Sequence, residues 1–541
     1  MNKKIIITGI FLSALVLTSC LKDLDVKPLD KNTIMSGNLG DSAIYMKQTL
    51  GKIYASFIIS GQGGSFGDDV VAPDPNFFTT MRALWNCQEI TTDEAICAWG
   101  DVGIADLNTQ TWSSSNPFIS VLYQRLGLSI TYANDFIKLT KGTSDPEYTR
   151  YNAEARYLRA LAYYWFMDLY GNPPFTTDAD GVGKFFPRQI TRDKLFDYIE
   201  SELLDIQDKL GAPGFSYPQA DQGACWMLLA RLYLNAEVYT GTAQWDNCKT
   251  YCDKVINSGA YELATNYRKN FSADNDNYNG NNPEMIFAWE QDGTYTQGYV
   301  GTTFIIQSCS DPKYLPAKTY HDLPTNPDWN GNRARVQFVD VLIDTLATYG
   351  NVAIPSIDTF FRQCKDKRIF LKQKLSNDIP SSSAVGDYGI GVFKFTGRNS
   401  DGSKAINYNP AYASTDFPIF RYADAYLMRA EALYKKGDIA NAVKDINVIR
   451  ERAYGDNSGN ISAADLDDQF ILDERGREFY YEAQRRTDLV RFGKFADGNY
   501  NWVWKGGTYG GSNIPPEMNI FPIPGDEVAS NPNIKQNEGY N

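Results

Sequence analysis

The stretch that most constrains this 541-residue chain is Phe417–Gly455, FPIFRYADAYLMRAEALYKKGDIANAVKDINVIRERAYG. Ala423, Leu427, Ala430 and Tyr434 recur at helical spacing, and Ala442, Ile446, Ile449 and Ala453 repeat the pattern on a second segment. Between them, Gly437 suits the left-handed conformation that ends a helix. Asp438 suits a cap, its carboxylate accepting the next helix's free N–H groups. Ala425, Ala430, Ala432 and Ala442 let the two helices approach closely. Such a hairpin cannot bury its apolar faces alone, so it needs neighbours to stack on.

Leu433, Tyr434, Gly437, Asp438 and Ala442 read as LYxxGDxxxA, which resembles a tetratricopeptide helical hairpin. Candidate neighbours lie upstream, as amphipathic helices over Asp41–Ser60, Pro117–Leu139, Glu154–Tyr170, Arg192–Leu210, Gln222–Val238 and Asp246–Ser258. Short breaks between them predict antiparallel pairs, so residues 41–258 and 417–541 are expected to build one mainly α scaffold. Near the end, Arg475–Phe495 reads as a charged amphipathic helix and Phe521–Tyr540 as a proline-ordered tail.

Two stretches depart from the helical pattern. Residues 61–116 are rich in Gly, Asp and Pro and read as a loop displaying Trp85, Trp99 and Trp112. Residues 259–416 are rich in Asn, Asp, Gly, Pro and Tyr, an irregular lobe of the kind that carries binding residues on a rigid frame. Within it, Asp274–Asn282 (DNDNYNGNN) hints at calcium but lacks the glycine and terminal glutamate of an EF-hand, so no metal is expected.

Residues 1–19 read as an export signal, with Lys3 and Lys4 ahead of the apolar run Ile5–Leu17. That run is shorter than the ~20 residues a membrane span needs. It ends in Leu17-Thr18-Ser19-Cys20, which resembles a bacterial lipobox, so Cys20 is expected to be lipidated and 20–40 to serve as a leash. The net charge of −13, with no basic cluster, disfavours nucleic acid and favours a neutral ligand. Cysteines 87, 97, 225, 248, 252, 309 and 364 are an odd, scattered set, read as buried apolar side chains. Cys248 and Cys252 are spaced for one helix face, but His321 is the single histidine.

Taken in order, EARYLRALAYY (154–164), YGNPPF (170–175), FPIFRYADAYLMRAEAL (417–433), EFYYEAQRRTDLVRFGKF (478–495) and FPIP with NPNIKQNEGY (521–540) resemble the SusD/RagB family of surface lipoproteins. The resemblance spans the chain. It implies a tetratricopeptide-like scaffold with an irregular ligand lobe, lipid-anchored at the cell surface in the outer membrane. It also implies a role: capturing oligosaccharide, or peptide in some members, for a SusC-type TonB-dependent transporter. RLYLNAEVYTG (231–241), TNYRKNFSADND (265–276) and WKGG (504–507) are similar to the starch-binding branch. By that similarity Tyr299 and Trp329 fall on two members of an aromatic arc, and Arg82 and Asp74 on polar contacts. Cys97 falls where the arc has its other Trp, with Trp99 two residues on, and Val102 replaces an asparagine. These departures leave starch, another neutral glycan such as a fructan, and peptide as alternatives.

The residue chemistry suits a sugar independently, since an aromatic ring covers a sugar's C–H face while Asp, Asn and Arg bond its hydroxyls. An enzyme would need a positioned acid–base pair such as Asp68/Asp69 or Glu89/Asp93/Glu94, but no catalytic motif surrounds them. No catalytic residue and no cofactor are expected. The candidate glycan contacts are therefore Trp329, Tyr299, Arg82, Asp74 and Trp99.

Overall fold

Capping residues set the helices of the scaffold. The computed structural model describes residues 43–61, 69–70, 79–181, 185–325, 327–343, 364–376, 378–383 and 386–540. The expected signal (1–19), leash (20–40), lipidation site Cys20 and contact Asp74 lie outside them. One compact unit is Leu50–Asn541; of the other, Met1–Thr49, residues 43–49 are described, the opening of helix α1 (Ala43–Ala55).

After the short helices α2 (Thr80–Trp85) and α3 (Ile104–Thr109), the long α4 (Pro117–Thr140) opens where the Asn116 side chain accepts from the N–H groups of Phe118 and Ile119. Helix α5 (Pro146–Tyr170) opens on Asp145 in the same way, and both carry proline in the first turn, where no N–H is needed. Gly171, at φ 71°, ends α5. Helices α6 (Arg192–Ile206), α7 (Gln222–Leu234), α8 (Ala236–Thr240) and α9 (Trp245–Asn257) follow.

The chain then enters the lobe, with α10 (Thr302–Cys309), α11 (Ala317–Tyr320) and α12 (Val336–Leu342), and returns as α13 (Tyr422–Lys435) and α14 (Ile439–Tyr454). Helix α4 packs on α5, α5 on α6, α6 on α7, α7 on α9, α9 on α13 and α13 on α14. The two helical regions thus meet directly through α9 and α13. Gly437 at φ 83° and Asp438, accepting from the N–H of Asn441, make the α13–α14 turn. Ala423, Leu427, Ala430, Ala442, Ile446 and Ile449 share one buried core with Ile471 and Phe479.

In the described part of stretch 61–116, Trp85 and Trp112 differ from their reading as displayed on a loop. Trp85 ends α2 and is fully buried; Trp112 is 3% exposed, its ring 4.9 Å from Phe521 and its N–H donated to the Tyr540 hydroxyl. The polar neighbours that look like loop formers satisfy buried backbone instead. Asn108, for example, pairs with both the N–H and the carbonyl of Cys97.

The expected helix 475–495 is also interrupted. It resolves into α15 (Asp468–Phe479), an irregular link in which Tyr481 and Ala483 have φ 65° and 58°, and α16 (Arg485–Arg491). Its charges face inward. Arg421 bonds Glu284, Glu478 and Glu482, Arg368 bonds Glu474 and Glu478, and Arg450 bonds Glu474, all buried. Burial pushes the Glu478 carboxyl up, but Arg452, Arg421 and Arg368 outweigh it and hold it at about 2.

Strands β1 (Ala95–Cys97), β5 (Asn332–Ala334), β6 (Leu371–Gln373) and β7 (Ile390–Val392) form a sheet in the order β1-β5-β7-β6. Stretch 61–116 and the lobe are therefore joined by a ladder. Two further pairs are antiparallel, β2 (Pro174–Phe175) with β3 (Arg188–Gln189), and β4 (Met285–Trp289) with β8 (Phe417–Arg421), which leads the chain from the lobe into α13.

Candidate functional site

The ladder between β1 and β5 builds the site. Cys97 pairs with Asn332, so residues just after β1 meet residues just before β5. There the Trp99 indole N–H donates to the Trp329 carbonyl at 2.9 Å, and the rings stand 6.2 Å apart at 60°. The indole lies over Gly331, where an added Cβ would come within 2.2 Å of it. Glycine is needed there for the close approach. The loop carrying Trp329 is fixed from behind by α10. The N–H groups of Trp329, Asn330 and Gly331 donate to the carbonyls of Gln307, Ser310 and Ser308 at the end of that helix.

Tyr299 continues the row, 6.1 Å from Trp329 at 59°, and Tyr412 ends it, 5.1 Å from Tyr299 at 52°. All four rings are half-buried. Each plane is tilted by more than 50° against the last, so the rings of the row Trp99–Trp329–Tyr299–Tyr412 do not share one plane. A flat, fully extended ligand cannot lie against all four. The hydrogen bond with Tyr412 raises the Tyr299 hydroxyl above its ordinary value, with burial adding less.

Of the residues singled out in the sequence, Trp329, Tyr299 and Trp99 come together here. Cys97 is 1% exposed within β1, its thiol pushed up to about 12 by burial, and cannot reach a ligand. Trp99 supplies the ring beside Trp329 instead. Arg82 is 2% exposed, with its guanidinium 4.9 Å from the Phe304 ring and 5.5 Å from the Trp99 ring. It backs the Trp99 indole and stiffens it through cation–π contact. Val102 is 81% exposed. Tyr412 was not singled out. The only trace it left in the sequence was the turn signal Asn409-Pro410 just before it, where Asn409 accepts from the N–H groups of Ala411 and Tyr412.

Of the carboxylates weighed as acid–base partners, Asp93, Glu94 and Glu89 serve the interior, while Asp68 lies outside the described residues. Asp93 forms a two-point ion pair with Arg485 at 2.9 and 2.7 Å. Glu94 and Glu89 accept the N–H groups of Tyr481 and Gln484, holding the link between α15 and α16. Burial pushes both carboxyls up. Within Asp274–Asn282, Asn275 and Asn282 turn inward onto backbone carbonyls, and Asp274 accepts from Ser400.

A family model described as the SusD family matches residues 362–540. Over 97% of this chain and 96% of its own length, the starch-binding protein SusD of Bacteroides thetaiotaomicron is 34% identical. SusD-like protein P25 of Formosa agariphila is 26% identical, with 72% of each chain covered. Among solved structures, a laminarin binding SusD-like protein superposes with a TM-score of 0.66 at 20% identity, covering 92% of this chain and 100% of that one. Surface glycan-binding protein A of Bacteroides thetaiotaomicron, solved with laminarihexaose, gives a TM-score of 0.64 at 17% identity, covering 92% and 99%.

Proposed function

The chain belongs to the SusD family, and from that premise we propose that it captures a neutral glycan at the cell surface on the row Trp99–Trp329–Tyr299–Tyr412. The observation that carries this is a row of four half-buried aromatic rings, each tilted against the next. Sugar rings present apolar faces that aromatic side chains cover, and a chain that turns at each residue can follow rings that turn at each step. A helical α-glucan does this, and the 34% identical relative is a starch-binding protein, so an α-1,4-linked glucan is the first candidate.

Three or four stacking contacts, each adding about 0.5–1.5 kcal/mol beyond burial, supply part of the about 8 kcal/mol of a micromolar affinity, the burial of the sugar faces and hydrogen bonds supplying the rest. We further propose that Cys20 carries the lipid anchor and that the captured glycan passes uncleaved to a SusC-type TonB-dependent transporter. Among the described residues no helix is long and apolar enough to cross a membrane.

Affinity electrophoresis of the mature, unlipidated chain against amylopectin, pullulan, dextran, laminarin, levan and inulin tests the reading. Retardation by the α-1,4-linked glucans, lost in Trp329→Ala, is expected. Retardation only by laminarin or only by the fructans would move the substrate within the neutral glycans. Retardation by none would overturn the glycan reading and favour a peptide.

A further inference from the structure

Away from the aromatic row, α4, α5 and the β2–β3 ribbon wall a cleft of about 790 Å³. That lies within the ~300–1,000 Å³ range of small-ligand sites. Tyr123 and Phe166 line it and are buried, their rings packed edge to face at 5.0 Å, while Phe185 is 45% exposed. One wall is fixed, because the Tyr163 hydroxyl donates to the Thr176 carbonyl and accepts from the Thr176 N–H.

Three observations indicate that the cleft is built to receive something. Among the described residues the buried Tyr123 hydroxyl has no hydrogen-bond partner, its residue being only 3% exposed. A buried hydroxyl left unpaired is costly, so a ligand that pairs it gains by doing so. Gln124 and Glu527, half-buried in the same cleft, make no side-chain hydrogen bond among the described residues. Gly127 sits inside α4, where glycine weakens a helix, yet an added Cβ would meet nothing within 4 Å. Packing does not ask for glycine there, and its absent side chain widens the cleft.

The lining selects the occupant. Among the described residues every charged side chain in it is acidic (Asp69, Asp135, Asp180 and Glu527), which disfavours an anion. Carboxylates accept from hydroxyls, Gln124 both donates and accepts, the Tyr123 hydroxyl donates, and Phe185 offers an apolar face. This pairing of an aromatic face with a rim of acceptors matches a sugar. We infer that the cleft is a second saccharide site, taking a short segment of neutral oligosaccharide independently of the aromatic row. The inference rests on the glycan-binding reading above.

The test is saturation-transfer NMR on the full mature chain with maltoheptaose and with laminarihexaose, comparing wild type, Trp329→Ala, Gly127→Phe and the double variant. Trp329→Ala is expected to keep a weak saturation-transfer signal that the double variant loses. Gly127→Phe alone should leave binding at the row unchanged within about twofold. Gln124→Ala, which adds no bulk, should weaken the residual signal several-fold and serves if Gly127→Phe folds poorly. No residual signal in Trp329→Ala, or one untouched by Gly127→Phe and Gln124→Ala, would overturn the second site and leave the first intact. Transfer to spermidine but to neither sugar, blocked by Gly127→Phe, would overturn the saccharide assignment in favour of a cation. Binding of neither sugar by wild type, together with no retardation by any of the glycans above, would overturn both readings together.

Discussion

The scaffold around α13–α15 and the lobe face around Trp329 invert the usual places of charge and aromatic surface. In the scaffold, Arg368, Arg421 and Arg450 are fully buried with Glu474, Glu478 and Glu482. On the lobe face, Trp99, Trp329, Tyr299 and Tyr412 stand half-exposed. Burying an ion pair is paid back only when every charge keeps its partners, so the scaffold charges tie the lobe to the helices in a single geometry. An exposed aromatic row gives no such return to folding, and its use lies in what it contacts. The two regions should therefore respond to different perturbations.

The largest separation is expected from Arg421→Ala. It removes a shared partner from Glu284, Glu478 and Glu482, leaving Arg452, Arg368 and Lys394 to face them with excess buried negative charge, and should lower stability by about 3 kcal/mol in denaturant titrations, reducing glycan binding only in step with the folded fraction. Binding lost at full folding would break the contrast.

Acidity sharpens it next. Burial pushes the Glu154 carboxyl up to about 7, against hydrogen bonds from Tyr54 and Arg150, and Asp221 up to about 6. Folded values above the unfolded ones mean that the protonated forms stabilise. Glu154's contribution is complete below about 4.5 and lost as pH rises through about 7. Glu478 runs the other way, its contribution present above about 4.5 and lost as pH falls through about 2. Stability should peak near pH 5 and fall by about 1–3 kcal/mol towards pH 8, with Glu154→Gln flattening the alkaline limb. Thermal unfolding across that range checks it; an unchanged limb would show that Glu154 does not carry the effect.

The scaffold was the more legible of the two in sequence because its helices announce their own ends. Pro117 and Gly171 act locally, and the structure uses them as a start and a stop, whereas Asp145-Pro146 opens α5 well before Glu154, where its apolar pattern was read to begin. Trp329 and Tyr299 could be found by similarity, but their neighbour could not be fixed that way. Only the Cys97–Asn332 register shows that Trp99 reaches the row while Cys97 points inward. Trp112 misled because polar residues that serve buried backbone look the same as those that face water. Charge misled between Arg475 and Phe495 for a related reason, since partners such as Glu284 and Arg368 lie far away in the chain. Tyr412 left too little local signal, its role being set by a ring brought to it from elsewhere in the lobe.

On the lobe side, Trp329→Ala should weaken binding by about 10- to 100-fold, the value of one buried aromatic face, with the unfolding midpoint nearly unchanged. A matching loss of stability would mean that the ring is core after all. The finest cut is Tyr412→Phe. It keeps the ring that ends the row and removes the hydroxyl bonded to Tyr299, a contact of about 1 kcal/mol or less where water competes. Binding should fall by roughly two- to fivefold, while Tyr412→Ala, which removes the face as well, should cost several times more. The same variant has a readout independent of ligand. Since the bond with Tyr412 is the first cause of the raised Tyr299 hydroxyl, that hydroxyl should titrate closer to its ordinary range in Tyr412→Phe, as followed by ultraviolet difference spectra. If the titration moves and affinity does not, Tyr412 only positions Tyr299. If affinity falls while the titration stays, the hydroxyl acts on the sugar directly.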